Sequence, residues 1–399
     1  MAAGIMDDAA AISSEVTELR HCIHAEPEIG LDLPKTQRKV LDALDGLPLE
    51  ITCGQKLSSV TAVLRGAQPG KTVLLRGDMD ALPVTERTAV PYASQVPGAM
   101  HACGHDLHTA MLAGAAKLLC ARQAELAGNV IFMFQPGEEG QGGARIMIAE
   151  GVLDAAGERP CAAYALHVAS SVLPLGVAAS RPGTAMAAAD TLHVTVRGRG
   201  GHGSQPHLAA DPIPTACEMV TSLQTMVTRR FDVFDPVVLT VGSFHAGTTD
   251  NVIPDEAAFV ATVRTFSSHT RDRARDAALR LVRQIAAGHG MDAEASFVDG
   301  YPVTVNDQAE FAFARQAAGE LFGQDRFLTA PFPLTGSEDF SYVLEQVPGA
   351  FIMLGACPPG LDPATAAYNH SAEAAFDDAA LADGTALYAE LALRRLSAA

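Results

Sequence analysis

The sequence predicts an α/β protein in which a doubly wound domain with a largely parallel sheet is interrupted by an inserted ferredoxin-like α+β domain. Near-continuous apolar runs of strand length occur at residues 71–75, 129–134 and 161–166, and a helix-like, Ala- and Leu-rich stretch occupies residues 107–121. Such runs are typical of parallel strands that helices cover on both faces. From residue 188 onward apolar and polar residues alternate, which indicates half-exposed strands.

The elements of the main domain follow in order from the N-terminus. Ile12, Val16, Leu19 and Ile23 recur at helical spacing and stop before Pro27, which predicts a first helix. The three apolar runs are followed by residues that can bind metals or carry protons, namely Asp78 and Asp80, Glu138 and Glu139, and His167. Because ligands of parallel sheets bind beyond the carboxyl ends of the strands, we expect an active site at this edge.

The inserted domain is predicted from an element order of strand, helix, strand, strand, helix and strand. Its strands are expected at residues 192–196, 237–241, 257–263 and 293–297, and its helices at 216–227 and 274–285. This order within about 110 residues is that of the ferredoxin-like split βαβ unit. A helix at 309–321 and a strand at 350–354 then return to the main domain. We therefore expect a main domain of residues 1–187 and 303–399 around an inserted domain of residues 188–302.

The composition excludes several classes of function. Of 399 residues, 28 are Lys or Arg and 46 are Asp or Glu, so the net charge is −18. General nucleic-acid binding is excluded, because nothing would neutralise phosphates along a groove, and docking on anionic membranes is disfavoured. No apolar run reaches the roughly 20 residues of a membrane span. Residues 1–10 lack a signal-peptide pattern, so we expect a cytoplasmic protein.

Seven cysteines are scattered along the chain without a Cys-x-x-Cys pair. An odd and dispersed set does not predict a disulfide framework. Six of them are expected to be small buried hydrophobic residues. Cys103 differs from the others because of the segment in which it lies.

That segment, HACGHDLH at residues 101–108, places three imidazoles, a thiol and a carboxylate within eight positions. A thiolate and an imidazole two residues apart, just before a helix, can both reach one metal ion. The segment therefore predicts a metal site, and the alternative is a His- and Cys-rich turn without a metal.

The adjacent carboxylates Glu138 and Glu139 form a second candidate element, flanked by Gly137 and Gly140. Adjacent carboxylates in a loop are usually just solvated. In a metal crevice they can divide the work, one binding the metal and the other acting as general base on water. A lone histidine such as His167 is more often a core residue whose hydrogen bonds are satisfied. His167 becomes a candidate ligand here only because the other candidates accompany it.

Several motifs occur in one order along the chain and carry a family resemblance. They are HACGHDLHTAML (101–112), QPGEEGQGGARIMI (135–148), ALH (165–167), GGHGSQPHLAADPI (200–213), GTTDNVIPDEA (247–257), TGSEDFSYVLEQVPGAF (335–351) and NHS (369–371). The chain resembles the M20 metallopeptidase family, and more narrowly its amidohydrolase branch of hippurate hydrolases, N-acyl-amino-acid aminoacylases and auxin-conjugate hydrolases. The resemblance runs from HAEPEIG (24–30) to the end of the chain.

Carried over position by position, the resemblance implies a centre of two divalent metal ions. Cys103 is implied as the ligand that both ions share, and the remaining protein ligands are His105, Glu139, His167 and His370. Glu138 matches the general base of the family. The fold that the resemblance implies agrees with the two-domain organisation predicted above.

The resemblance also implies roles for residues outside the ligand set. His202 matches a histidine that reaches the active site of the partner subunit, which implies a homodimer formed through the inserted domain. Asn251 and Arg264 match positions that hold the carboxylate of the substrate. Asp78 and Asp80 are expected to orient imidazoles or shape the site from behind the ligands.

These residues together predict hydrolysis of the amide bond of N-acyl-L-amino acids, hippurate-like or N-acetylated, to a carboxylic acid and a free amino acid. Metal-activated water would attack the carbonyl, with Glu138 as its general base. Thiolate and imidazole ligands favour zinc, nickel or cobalt over magnesium or calcium. We rank zinc first, and the resemblance adds manganese.

Two other functions remain open from the sequence. A dinuclear-metal dipeptidase or aminopeptidase would use the same chemistry, but it needs a group that binds a free α-amine, which the sequence does not locate. A non-catalytic binding protein on the same fold is the alternative of another class. That alternative predicts loss of the base or of a ligand, yet Glu138 and all five ligand positions are filled.

Overall fold

The computed structural model describes residues 2–397, which divide into two compact units. The main unit contains the chain up to Ala185, the segment Val305–Phe332 and the chain from Asp339 onward. The inserted unit contains Met186–Thr304 and Pro333–Glu338. Each unit has a hydrophobic core of its own. That residues 188–302 form an independent domain stays a prediction.

The secondary structure contains every helix and strand that the sequence predicts, with shifted ends. The helices are α1 (Ala2–Ala11), α2 (Ser13–Ala25), α3 (Pro34–Leu44), α4 (His105–Ala121), α5 (Gly143–Ala149), α6 (Pro212–Arg230), α7 (Ser268–Gly288), α8 (Gln308–Phe322), α9 (Ser341–Leu344) and α10 (Ala380–Ser397). The strands are β1 (Leu49–Cys53), β2 (Val60–Arg65), β3 (Gln68–Asp78), β4 (Ala127–Gln135), β5 (Ala162–Ala169), β6 (Ala178–Ser180), β7 (Gly183–Met186), β8 (Ala188–Arg197), β9 (Gly201–His202), β10 (Val237–Ala246), β11 (Val252–Ile253), β12 (Glu256–Thr265), β13 (Asp292–Asp299), β14 (Thr304–Asn306), β15 (Phe327–Thr329) and β16 (Gly349–Gly355). Within residues 2–397, no helix is both long and apolar enough to cross a membrane.

The main unit is built on an eight-stranded sheet in the order β1-β2-β4-β3-β5-β16-β6-β15. Its four central strands, β4, β3, β5 and β16, are parallel to one another. On the two sides of this centre, β2 pairs antiparallel with β4, and β6 pairs antiparallel with β16. β4 and β16 are buried along nearly their whole length, as expected for strands covered on both faces.

Helices α4 and α10 pack against each other in the core of the main unit. α4 is buried on all sides from His105 to Ala116, and α10 from Gly384 to Leu393. The helices approach closely at Gly384, where an added Cβ would lie 1.9 Å from Met111 Sδ. A side chain at this position would require the Met111 side chain to move.

The inserted unit has the chain order β8-α6-β10-β12-α7-β13 and an antiparallel sheet in the order β10-β12-β8-β13. This is the ferredoxin-like arrangement. Leu192, Val194 and Val196 of β8 lie in a core shared with α6 and α7. Together with the parallel centre of the main sheet, this unit confirms the predicted fold class.

The cysteines correct one expectation. All seven thiols are free, but of the six expected to be buried only Cys357 is fully buried, while Cys22, Cys53 and Cys217 are exposed and Cys120 and Cys161 are half-buried. Cys53 ends β1, an edge strand whose last four residues are exposed. A position in a strand therefore did not ensure burial.

A buried ionic cluster joins α2 to the start of α4. Arg20 Nε donates to Asp106 Oδ2 over 3.0 Å, and His24 Nδ1 lies 2.9 Å from the same oxygen. His24 Nε2 lies 3.2 Å from Glu86 Oε1. Burial lowers the pKa of His24, but Asp106 and Glu86 together outweigh burial and raise this pKa from its ordinary 6.5 to about 9.

We expect this cluster to make the stability of the main unit depend on pH. Because the pKa of His24 is higher in the folded than in the unfolded chain, its stabilisation is complete below about pH 6.5 and is lost as the pH rises to about 9. Replacing His24 with Gln should lower stability at pH 6 by at most about 3 kcal/mol and flatten the decline towards pH 9. Thermal unfolding between pH 6 and pH 9 measures the stability, with replacement of the exposed His207 by Gln as control. If stability declined with pH as steeply in His24→Gln as in the native protein, His24 would not be the group responsible.

Candidate metal centre

Three neighbouring parallel strands bring reactive side chains to one edge of the main sheet. β4, β3 and β5 lie side by side with their carboxyl ends together. At or just beyond these ends lie Glu138 and Glu139, Asp78 and Asp80, and His167. These side chains therefore lie at the edge where open α/β sheets bind their ligands.

The Cys103 loop turns into α4 at a position that only glycine tolerates. Gly104 has a φ of +83°, and an added Cβ would lie 2.3 Å from Val168 Cγ2. This left-handed residue separates the buried Cys103 from His105, the first residue of α4. The turn brings the Cys103 thiol and the His105 imidazole within 4.8 Å of each other.

Five side chains form two groups that share Cys103. The potential ligand atoms of Cys103, His105 and His167 all lie within 4.8 Å of one another, and so do those of Cys103, Glu139 and His370. Cys103 Sγ is 3.4 Å from His167 Nε2 and 3.2 Å from His370 Nε2. His370 Nε2 is 3.2 Å from Glu139 Oε1. Ligands held about 2.0–2.3 Å from a tetrahedral ion lie roughly 3.3–3.8 Å apart, which these separations approach.

The charges of this cluster favour cations. Although burial raises it, the positive charges of His167 and His105 hold the pKa of the Cys103 thiol well below its usual range. Hydrogen bonds with Cys103 and Glu139 raise the pKa of His370 to about 10. Without a metal, protons on the imidazoles supply the positive charge beside the thiolate, and metal binding would displace them.

Two of the imidazoles are oriented in the same way, by a backbone carbonyl. His105 Nδ1 donates to the carbonyl oxygen of Asp80 over 2.8 Å, and His167 Nδ1 donates to that of Val168 over 2.9 Å. Each ring therefore presents Nε2 to the cluster. Such a bond fixes the tautomer and the ring direction of a metal-binding histidine.

Asp80 aligns the two adjacent glutamates. Its Oδ1 accepts a hydrogen bond from the Glu138 amide at 2.9 Å, and its Oδ2 accepts one from the Glu139 amide at 3.0 Å. One carboxylate thus fixes the backbone from which both side chains extend, while its own carbonyl holds His105. Asp80 therefore fixes the backbone of both glutamates, and its role in orienting metal ligands stays a prediction.

His108 has a role that the sequence analysis did not assign. Its Nδ1 donates to Asp78 Oδ1 over 2.5 Å, and its Nε2 accepts a hydrogen bond from the Val168 amide at 2.7 Å. Burial lowers the pKa of His108 to about 4, although Asp78 raises it, so the ring is neutral and both nitrogens are engaged. His108 therefore links the end of β3 to β5, and both of its ring nitrogens are engaged by protein groups. Its position three residues after His105, on the next turn of α4, was the available signal.

Asp78 is held by a buried arginine. Arg76 Nη1 donates to Asp78 Oδ2 over 2.5 Å, and Arg76 Nη2 donates to Asp339 Oδ1 over 2.9 Å. Although burial raises it, Arg76 and the neighbouring imidazoles hold the pKa of Asp78 well below its usual range. Asp78 Oδ2 lies 3.7 Å from His105 Nε2, so a fixed negative charge sits beside the first ligand group.

The last ligand candidate, His370, extends from a loop that the neighbouring residue anchors. Asn369 Nδ2 donates to the Cys103 and Val168 carbonyls over 3.2 and 3.0 Å, and its Oδ1 accepts from the Ser170 amide at 3.0 Å. His370 has a φ of +72°, which is uncommon for a residue with a side chain. Asn369 was a second residue that the sequence analysis did not single out.

The donor set of the cluster fits divalent transition metals. His105 Nε2 is buried and has no hydrogen-bond partner among residues 2–397. A buried polar atom without a partner costs about 1–3 kcal/mol, and a cation at this point would remove that cost. Thiolate and imidazole donors suit soft or borderline ions. Cys103, His105, Glu139, His167 and His370 would hold such ions.

The other three predicted site residues belong to the inserted unit. His202 lies in β9 opposite Val252 of β11, and Asn251 directly precedes that strand, its carbonyl accepting from the Gly203 amide at 2.8 Å. His202 Nδ1 accepts a hydrogen bond from the Ser204 amide at 3.1 Å. Arg264 lies half-buried in β12, where burial lowers its pKa.

The comparison with known families decides the classification. The model of peptidase family M20/M25/M40 matches residues 74–394. The chain belongs to this family. The match confirms the family that the motifs predict, and it spans every candidate metal ligand on the main unit.

Individual known proteins resemble the chain over most of its length. It is 37% identical to thermostable carboxypeptidase 2 of Saccharolobus solfataricus over 355 residues, which cover 88% of each chain. It is 35% identical to N-acetylcysteine deacetylase of Bacillus subtilis over 384 residues, 96% of this chain and 97% of that protein. A Bacillus subtilis structure described as a dinuclear metal binding peptidase of family M20 aligns with a TM-score of 0.84 and 33% identity, covering 97% of this chain and 99% of that one. The prediction of an enzyme that hydrolyses amide bonds is thereby confirmed.

Removing the shared thiol tests the metal centre directly. Cys103→Ala should bind clearly less metal than the native M20 protein, because the sulfur belongs to both groups of ligand atoms. Elemental analysis after equilibration with zinc measures the loss. Cys357→Ala removes another buried thiol and serves as the matched control. Full occupancy in Cys103→Ala would refute the sharing of this sulfur.

Proposed function

We propose that this chain is a dinuclear-metal amidohydrolase that cleaves N-acyl-L-amino acids to a carboxylic acid and a free amino acid. The observation that carries the proposal is the pair of ligand groups that share Cys103, with Glu138 next to both His105 and Glu139. Two ions held by Cys103, His105, Glu139, His167 and His370 would polarise the carbonyl and make water acidic enough to be deprotonated near neutral pH. The donor set ranks zinc first among zinc, nickel, cobalt and manganese.

Glu138 is the proposed general base. Its side chain is buried, and its carboxylate lies within 4.8 Å of the ligand atoms of His105 and Glu139. Glu138 takes a proton from the attacking water and later passes a proton to the departing amine, while the hydroxyl group remains on the acyl carbon. Asp80 positions Glu138, because Asp80 Oδ1 accepts a hydrogen bond from the Glu138 backbone amide at 2.9 Å.

The inserted unit supplies the proposed substrate contacts. Arg264 forms no ion pair with a carboxylate among residues 2–397, and its half-buried guanidinium suits a forked pair with the carboxylate of the amino-acid product. Asn251 would donate to the same group. His202 would stabilise the oxyanion of the partner subunit's active site, which requires a homodimer formed through the inserted unit.

Exposed free thiols support the proposed cytoplasmic location. Cys22, Cys53 and Cys217 are exposed and unpaired. Such thiols persist in reducing compartments, whereas oxidising compartments favour disulfides.

A peptidase is the second candidate, and the 37% identity to a carboxypeptidase favours it. Both activities share the metal centre and the base, so only the acyl side of the substrate separates them. A carboxypeptidase would also use Arg264 on the terminal carboxylate. A non-catalytic binding role is disfavoured because every proposed ligand and Glu138 are retained.

A substrate panel with a base-deficient control tests the function. The metal-loaded protein should hydrolyse acetyl-, benzoyl-, long-acyl- or indoleacetyl-amino acids faster than dipeptides in the presence of zinc, manganese, nickel or cobalt. Glu138→Gln should lower kcat by about 10²–10⁴-fold with metal content unchanged. Faster cleavage of dipeptides would select the peptidase alternative, and an unchanged kcat would remove Glu138 from the mechanism.

Subunit mixing tests the proposed role of His202. Glu138→Gln and His202→Ala should each be nearly inactive alone, because each lacks one part of every site. Mixed dimers regain one complete site, so equal mixing should restore about a quarter of native activity. His193→Ala, another exposed histidine of the inserted unit, is the control and should be active alone. Verified mixed dimers without activity would contradict action across the interface.

A further inference from the structure

The inserted unit contains a small surface cavity with an unusual concentration of arginines. The cavity has a volume of about 240 Å³ and lies where the end of α6 meets α7. Its lining residues are Arg230, Phe231, Arg273, Asp276, Ala277 and Arg280. Three guanidinium groups and one carboxylate give it a formal charge of +2 in a chain of net charge −18.

The residues converge because of helical geometry. Arg273, Asp276, Ala277 and Arg280 are spaced three, four and seven residues apart along α7 and therefore share one face. Arg230 ends α6, and Phe231 follows it directly. The two helices pack on the same core, so their charged residues meet at its edge.

Three arginines of this unit outside the cavity are neutralised by carboxylates. Arg197 pairs with Glu256 and Glu294, Arg271 with Asp190, and Arg275 with Asp272 and Asp299. By contrast, the side chains of Arg230 and Arg280 have no hydrogen bond or ion pair to any residue of 2–397. Acidic residues outnumber basic ones in this chain, 46 to 28, so this lack of partners is not a shortage of carboxylates.

Arg273 is held in place by groups that leave its charge uncompensated. Its guanidinium carbon lies 5.4 Å from the centre of the Phe231 ring, and Nη2 donates to the Arg230 carbonyl over 3.1 Å. An aromatic face and a carbonyl restrict the side chain without cancelling its charge. The guanidinium is thereby preorganised for an anion, which lowers the entropy cost of binding one.

We propose that this cavity binds a small phosphate-bearing anion. Planar guanidinium groups match the geometry of phosphate oxygens and form forked, charge-assisted hydrogen bonds with them. A phosphate carries about 1.5–2 negative charges near pH 7, which matches the formal charge of the cavity better than a single carboxylate does. The ligand class therefore differs from the monocarboxylate substrates proposed for the metal centre, and the inference is independent of that function.

Calorimetric titration of the metal-loaded protein tests the site. Inorganic phosphate and a nucleoside diphosphate are titrated at constant ionic strength, with acetate as the monocarboxylate comparison. Saturable binding of either phosphate compound should weaken about tenfold or more in Arg280→Ala, because one charge-assisted pair is lost. Arg273→Lys keeps the charge but loses the fork, and it should weaken binding as well. Saturation by phosphate alone identifies the free anion as the ligand, and tighter binding of the diphosphate identifies a nucleotide.

Arg283→Ala is the matched control. Arg283 lies on the same helix and donates to the Ala295 carbonyl over 3.0 Å, outside the cavity. Its replacement removes the same charge and should leave the affinity unchanged within about twofold. No saturable binding up to about 10 mM would overturn the proposal. Equal phosphate affinity in the native protein and in Arg280→Ala would also overturn it, because the anion would then bind outside this cavity, for example at the metal centre. Equal affinities for acetate and phosphate would overturn it as well.

Discussion

The arrangement of the candidate centre depends on a single sulfur atom. Cys103 Sγ belongs to both ligand groups, so His105 and three side chains from distant parts of the chain must end within reach of it. The sheet brings Glu139 and His167 within reach, because the parallel strands β4, β3 and β5 end at one edge. The tight turn at Gly104 brings His105 close to the sulfur, and the hydrogen bonds of Asn369 hold the loop that carries His370. The charge of the thiolate in turn draws positive charge to the surrounding imidazoles.

Behind these side chains lies a layer of fixed hydrogen bonds that limits their movement. Asp80 alone bonds the backbone of two glutamates and, through its carbonyl, one imidazole. His108 links Asp78 to the Val168 amide, next to His167. Partners of this kind matter about 10–100-fold for metal affinity or activity when they are lost. The positions of the proposed ligands therefore depend on residues outside the ligand set.

The sequence predicted the parts of the molecule that carry periodic or motif signals. The buried strands, the alternating strands of the inserted unit and the ligand candidates all belong to this class. Helix α10 was missed because it is buried on nearly every side, so its apolar residues form no stripe. His108 and Asn369 were not assigned because their roles depend on contacts 60 and more than 200 residues away. Exposure of Cys53 depended on β1 being an edge strand, which local sequence does not reveal.

The position of β16 in the sheet has a consequence for the synthesis of the chain. β16 follows the inserted unit in sequence, yet it pairs with β5, which precedes that unit. While the ribosome is still making the insertion, β5 has an open edge, and the loop that carries His370 does not yet exist. The nascent protein therefore carries an incomplete set of donors and an aggregation-prone strand until its last segment emerges. The order of the strands therefore means that the donor set can be complete only after the segment that carries His370 has been made.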